Sequence, residues 1–240
     1  MKLALIPARS GSKRFPNKNI KLLNGHPLIA YSIVSAIRSE IFDKVVVCTD
    51  SREYANIALT YGAEIPYLRN VENARSSSPD IEWVSEAFSF FEEKYSKIDF
   101  FSILRPTNPC RSVNSIIKAH DILMSSSSDS VRAVSLCTEH PGKMWVLNND
   151  QSSMNPLLPF SLNNVPWHSN QFAALPPIYV QNASLEFARG YCIRQLSSIS
   201  GDSIAPYLTP PEENVDINYP HDWDTLIEGL SNNTFNIISI

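Results

Sequence analysis

The sequence predicts an α/β protein: a mostly parallel sheet with helices on both faces. Three observations carry this. Short apolar runs without alternation, KLALIP at 2–7 and KVVVCT at 44–49, read as strands buried on both sides. Segments with apolar residues at helical spacing lie between them, as at 27–38 and 80–95. The two kinds alternate through about residue 137, the pattern of βαβ units.

In order, 2–7 is the first strand, followed by a polar stretch containing Gly11. PLIAYSIVSAIR (27–38) is a helix, with Pro27 suited to its first turn. The second strand spans 44–49, a helix opened by Ser51 spans 51–61, and a short strand spans 64–68. Residues 80–95 form a strongly amphipathic helix, FFSILRP (100–106) a strand, 112–124 a helix and VRAVSLC (131–137) a strand. Residues 125–128 are a serine loop. From 140 to 178 the chain is rich in Pro, Asn and Ser with isolated aromatics, and this predicts an excursion from the sheet, a dimerisation arm within one domain spanning 1–240. Regular structure returns at PIYVQNASLEFA (177–188), and a last helix spans about 220–230, opened by Pro220 and Asp222. The tail 231–240 receives no assignment.

A chain of 240 residues buries about three quarters of its unfolded surface, so folding needs neither disulfides nor metal. Cys48, Cys110, Cys137 and Cys192 are scattered, which fits free thiols in a reducing compartment, the cytoplasm. No run approaches membrane-spanning length. The net charge of −4 conceals an asymmetry: residues 1–39 hold seven basic side chains and no acid, against 13 basic and 24 acidic residues in the rest. A local cationic patch in an acidic protein suggests a small anionic ligand, not a nucleic-acid track. A solvated basic face is the plainer alternative.

The basic stretch leaves the first strand at its C-terminal end, where open α/β sheets bind ligands. Gly11 can take a positive φ or let the backbone approach a ligand, and Arg9, Lys13, Arg14 and Lys18 supply charge for phosphate. With only seven glycines, neither G-x-G-x-x-G nor G-x-x-x-x-G-K can be written.

IPARSGSKRFPNKNIKLLNGHPLIAYSI resembles the N-terminal signature of the acylneuraminate (CMP-sialic acid and related nonulosonic acid) cytidylyltransferases, I-P-A-R-x-G-S-K-x-x-P-x-K-N then L-x-G-x-P-L, at every fixed position. The likeness continues in VVVCTDS (45–51), GAEIPYLR (62–69), LRPTNPCRS (104–112), EHPGKMW (139–145), LPPIYVQNASLEFA (175–188) and VDINYPHDW (215–223). It implies a Rossmann-like nucleotidyltransferase fold and attack of a sugar hydroxyl on the α-phosphate of CTP, giving a CMP-sugar and pyrophosphate. It implies a homodimer, with CTP and an acidic sugar as partners and no nucleic acid or membrane.

Site residues follow from the same resemblance. Ala8, Arg9, Ser10, Gly11, Ser12, Lys18, Asn19 and Arg69 match nucleotide-binding positions, and Arg9, Lys18 and Asp216 carry the catalytic role. Asp216 and Asn218, i and i+2 on an extended segment, are the candidates for Mg²⁺, although the family commonly has Asp at both places. Arg105 stands where the family usually has Gln, and with Asn182 and Lys143 it is assigned to the sugar, Lys143 from the partner subunit. Ser77 stands where the family has an acid, and Ala183 where it has Gly. Arg111 is as well explained by a structural salt bridge, and Asp50 and Asp222 by structural roles. The departures at Ser77, Arg105 and Asn218 keep open a degenerate paralogue that binds nucleotide without turnover, and Kdo or a sugar 1-phosphate remains an alternative substrate.

Overall fold

The apolar runs form neighbouring strands of a six-stranded sheet in the computed structural model, which describes residues 1–70 and 78–240, with Ala183 described by its backbone alone. Strands are β1 (Lys2–Pro7), β2 (Lys44–Cys48), β3 (Phe100–Ile103), β4 (Ser130–Leu136), β5 (Tyr179–Arg189) and β6 (Ile204–Leu208). Their order is β6-β4-β5-β3-β1-β2. β1 lies between β2 and β3 and is parallel to both, with Leu3 opposite Lys44 and Phe101. β5 runs antiparallel to β3, with Glu186 opposite Ile103, so the sheet is mixed.

Helices are α1 (Leu28–Arg38), α2 (Arg52–Thr60), α3 (Asp80–Lys94), α4 (Val113–Ser125), α5 (Tyr191–Leu196) and α6 (Pro220–Ser231). Alternate residues of β1 serve opposite faces, as the pleat requires. Ala4 and Ile6 pack with Ile29 and Ile33 of α1, Tyr54 and Ala58 of α2, and Ile116 and Ala119 of α4. Leu3 and Leu5 pack with Trp83, Phe88 and Phe91 of α3 and Cys192 of α5. Both sheet faces are thus covered, and both faces of β1 must be apolar. Ser51 and Ser112 cap α2 and α4, each side chain accepting from the backbone N–H three residues on. Asp222 accepts from the N–H groups of Asn218 and Tyr219 at the start of α6.

Several details differ from the sequence expectation. The strand expected at 64–68 is a single bridge between Val46 and Glu64, since Pro66 has no N–H to extend a ladder. Pro27 precedes α1 as its N-cap residue with an extended ψ of 144°, because it is also paired with Leu22 in a two-residue hairpin. Asn24 and Gly25 turn that hairpin with positive φ of 48° and 86°. The tail is placed: Phe235, Ile237 and Ile238 pack against a third cluster formed by Leu28, Val215, Ile217 and Trp223.

The chain divides into two compact units, Met1–Ala133 with Asn182–Ile240, and Val134–Gln181. The second contains an antiparallel ladder, Trp145–Leu147 with Met154–Pro156, and a shorter one, Ser161–Leu162 with Val165–Pro166. Its buried His140 accepts from the Gly142 N–H and makes a 2.9 Å hydrogen bond to the Pro176 carbonyl.

Candidate active site

The loop after β1 is tied down before it reaches any ligand. The Ala8 N–H continues the parallel ladder to the Cys48 carbonyl at 3.0 Å. Ser10 then donates from its N–H and its hydroxyl to Asp50, at 2.8 and 3.0 Å, which gives Asp50 an anchoring role. Asn17 takes a left-handed φ of 55° and accepts from the Tyr54 hydroxyl. A single 3₁₀ turn, Lys18–Ile20, follows, and the buried Asn19 donates to the Arg9 carbonyl. Gly11 has no positive φ, and a Cβ there would meet nothing within 4 Å. Of the two reasons for a glycine, only close approach of a ligand is left.

The opposite wall comes from residues 215–218. The Ile217 N–H donates to the Thr107 carbonyl at 2.8 Å, and the Asn108 amide donates to the Val215 carbonyl, so this segment is stitched to the turn after β3. Lys18 Nζ crosses to the Ile217 carbonyl at 2.7 Å, and Arg14 Nη2 to Asn218 Oδ1 at 2.8 Å.

Between the walls lies a cleft of about 260 Å³, lined by Arg9, Ser12, Arg14, Lys18, Asn19, Arg69, Asp80, Trp83, Arg105, Thr107, Asp216 and Asn218 among others. Five of these are cations and two are carboxylates. Burial pushes the Lys18 ammonium down to about 8. Asp216 opposes that shift, and Arg14 and Arg9 add to it. Burial likewise lowers Arg69, whose guanidinium lies 5.3 Å from the Trp83 ring centroid. Such a cleft holds cations at the expense of their solvation, which an anionic ligand restores.

Asp216 and Asn218 both face the cleft, as their i, i+2 spacing implied. Asn218 Nδ2 donates to Asp216 Oδ2 at 2.6 Å, while its oxygen accepts from Arg14. Asp216 Oδ1 is buried with no hydrogen-bond partner among the described residues. An orphaned carboxylate oxygen beside a cationic cleft suits a divalent ion that shares phosphate oxygens. No group of three or more His, Cys, Asp or Glu suited to a metal occurs among the described residues. Mg²⁺ would therefore be held by Asp216 together with substrate oxygens.

Of the other sequence candidates, Arg9, Ser12, Lys18, Asn19, Arg69 and Arg105 line the cleft; Ala8, Ser10 and Gly11 do not, and Ala8 and Ser10 anchor the loop. Asn182 is outside it: its amide donates to Thr209 Oγ1 at 2.8 Å and its oxygen accepts from the Ser184 N–H. Lys143 belongs to the second unit, where its ammonium donates to the carbonyls of His168 and Asn170. Ser77 lies outside the described residues. Arg111 is buried, but hydrogen bonds, not a salt bridge, hold it: it donates to the carbonyls of Ser184 and Arg105 and to the Ser32 hydroxyl. Burial lowers its pKa to about 9. The sequence reading missed Asp80, Glu186 and Arg132. Asp80 stands where an acid commonly opens a helix, and Glu186 is the polar residue in the alternation Leu185-Glu186-Phe187 that a half-exposed strand would show.

A cytidylyltransferase family model matches residues 3–133. The chain belongs to the cytidylyltransferase family. A cytidylyltransferase is a nucleotidyltransferase, and the loop after β1, strands β2 and β3 and helices α1–α4 lie within the matched stretch, whereas Asp216 and Asn218 lie beyond it. The chain is 35% identical over 222 residues to a CMP-N,N'-diacetyllegionaminic acid synthase of Legionella pneumophila, covering 92% of each chain. It is 44% identical over 117 residues to an Escherichia coli N-acylneuraminate cytidylyltransferase, of which it spans 27%. The fold is similar to that of a CMP:2-keto-3-deoxy-manno-octonic acid synthetase complexed with CTP, with a TM-score of 0.66 at 13% identity over 97% of this cytidylyltransferase and 99% of the other chain. The Rossmann-like nucleotidyltransferase fold expected from the sequence is thus present.

Proposed function

We propose that the chain transfers the cytidylyl group of CTP to a nonulosonic or related 2-keto acid sugar. The observation that carries this reading is the cleft itself, in which Arg9, Arg14, Lys18 and Arg69 surround Asp216 at the C-terminal end of β1. The sugar hydroxyl oxygen forms a bond to the α-phosphorus, the bond to the bridging oxygen breaks, pyrophosphate leaves, and the hydroxyl proton passes to water. Arg9 and Lys18 bind the α- and β-phosphates and offset charge that grows on the leaving group. Asn19 and Arg69 orient the nucleoside, and Arg105 meets the acid of the sugar. Asp216 holds Mg²⁺, and the bound ion supplies positive charge to the phosphate oxygens.

The relative from Legionella pneumophila is named for N,N'-diacetyllegionaminic acid, which makes that sugar the first to test. We assign the protein to the cytoplasm, supported by four free cysteines, and to a homodimer in which Lys143 serves the partner's site. No helix among the described residues is long and apolar enough to cross a membrane.

The test combines the protein with Mg²⁺, each of four nucleoside triphosphates and a panel of keto-acid sugars, and measures pyrophosphate. Release with CTP and a keto acid alone is the expected result. Release only with a sugar 1-phosphate, or CTP affinity without turnover, would overturn the assignment. Mass determination in solution checks the dimer.

A further inference from the structure

Beside the cations of the loop after β1, a chain of charges runs from the cleft-lining Arg105 and Asp80 to Glu186 and Arg132, which are not among its lining residues. Arg105 Nη2 pairs with Asp80 at 2.5 Å and with Glu186 at 2.9 Å, and Glu186 also pairs with Arg132. Glu186 and Arg132 are buried and belong to β5 and β4, whereas Asp80 opens α3 at the cleft. Burial pushes the Asp80 carboxyl up, but the Arg105 charge and hydrogen bond outweigh it and leave it low, so Asp80 is anionic at neutral pH. Its other oxygen accepts from the Trp83 indole at 2.8 Å, and Trp83 in turn lies under Arg69. The backbone of Arg105 is fixed too, its carbonyl accepting from Ser32 and Arg111. Both ion pairs converge on Nη2, and the donors of Nη1 are not used by either.

We propose that Asp80 is a positioning residue for the acidic sugar: with Glu186 it holds Arg105 by one nitrogen so that the remaining donors face the sugar's carboxylate. The inference rests on the function proposed above. A free arginine side chain loses rotamer entropy on gripping a ligand, and one already held by two carboxylates has lost it on folding. The sugar carboxylate and a phosphate of CTP are both anions that Arg105 could meet, and the two Michaelis constants separate them.

The experiment measures steady-state kinetics of wild type, Asp80→Asn, Asp80→Glu, Arg105→Gln and the Asp80→Asn/Arg105→Gln double variant. Asparagine preserves the Trp83 contact and removes the charge. The expected result is a KM for the keto acid raised ~10-fold in Asp80→Asn with kcat and the KM for CTP near wild type, partial recovery in Asp80→Glu, and no further rise when Asp80→Asn is added to Arg105→Gln. Equal effects of Asp80→Asn with and without Arg105, a lower KM for the sugar, or a shift in the KM for CTP instead would each overturn the proposal while leaving the proposed reaction intact. No turnover of any keto acid by the wild type would overturn both.

Discussion

Lys18 is expected to set a pH limit on the activity. Its ammonium is lowered from 10.5 to about 8, chiefly by burial, and its Nζ lies 2.7 Å from the Ile217 carbonyl. A group titrating near 8 falls from about nine-tenths to about one-tenth protonated between pH 7 and pH 9, so a step that needs its charge slows roughly tenfold over that interval. The assay is pyrophosphate release at limiting CTP and saturating sugar, since kcat/KM reports the ionisation of the free enzyme. Two variants isolate the cause. Lys18→Arg holds its charge throughout, so the alkaline limb disappears even if the rate drops. Lys18→Gln loses ~10²–10³ in rate and is flat as well. Stability shifts in the opposite sense to activity. The unfolded chain retains this proton up to 10.5 and the folded chain releases it near 8, so this group's contribution makes the fold more stable as pH rises between those values. A wild-type kcat/KM unchanged through pH 9, or an unaltered alkaline limb in Lys18→Arg, would refute the argument.

Three further predictions concern the loop, a tight backbone contact and the metal. Gly11→Ala should leave the denaturation midpoint unchanged, because its Cβ meets no protein atom within 4 Å, yet lower kcat/KM for CTP ~10-fold if the backbone lies against phosphate. Gly190→Ala is the opposite case: its Cβ would stand 2.0 Å from the Ile98 carbonyl oxygen, and a loss of about 3 kcal/mol or more in urea unfolding is expected. Asn218→Asp replaces a donor to Asp216 by a second carboxylate. It should lower the Mg²⁺ concentration for half-maximal rate ~10-fold and cost about 1 kcal/mol of stability without Mg²⁺; an unchanged Mg²⁺ titration would place residue 218 outside the metal's reach.

The elements that were legible in the sequence are those whose local signal and burial agree. β1 is apolar on both faces because helices cover both, and α2 begins after Ser51 because that hydroxyl caps it. β6 was not legible: Pro206 interrupts IAPYL, and the strand is tolerated because it lies at the sheet edge. The Asn24-Gly25 turn carried a hairpin signal, but two-residue strands are too short to show alternation. In the cleft, Arg9, Arg14 and Lys18 could be found because they cluster in sequence. Asp80, Glu186 and Arg132 could not, because they meet only when the sheet order sets β4, β5 and α3 around Arg105.

The contacts from Lys18 to Ile217 and from Arg14 to Asn218 join residues 199 and 204 positions apart. The ribosome makes Lys18 199 residues before Ile217. A growing polypeptide therefore displays a run of cations long before it owns the wall that completes their cage, and the complete cleft must await residues 215–218. Closing such a distant contact is slow compared with forming the local helices that precede it. The shape of the cleft accordingly emerges only after the helices between its two walls have been made.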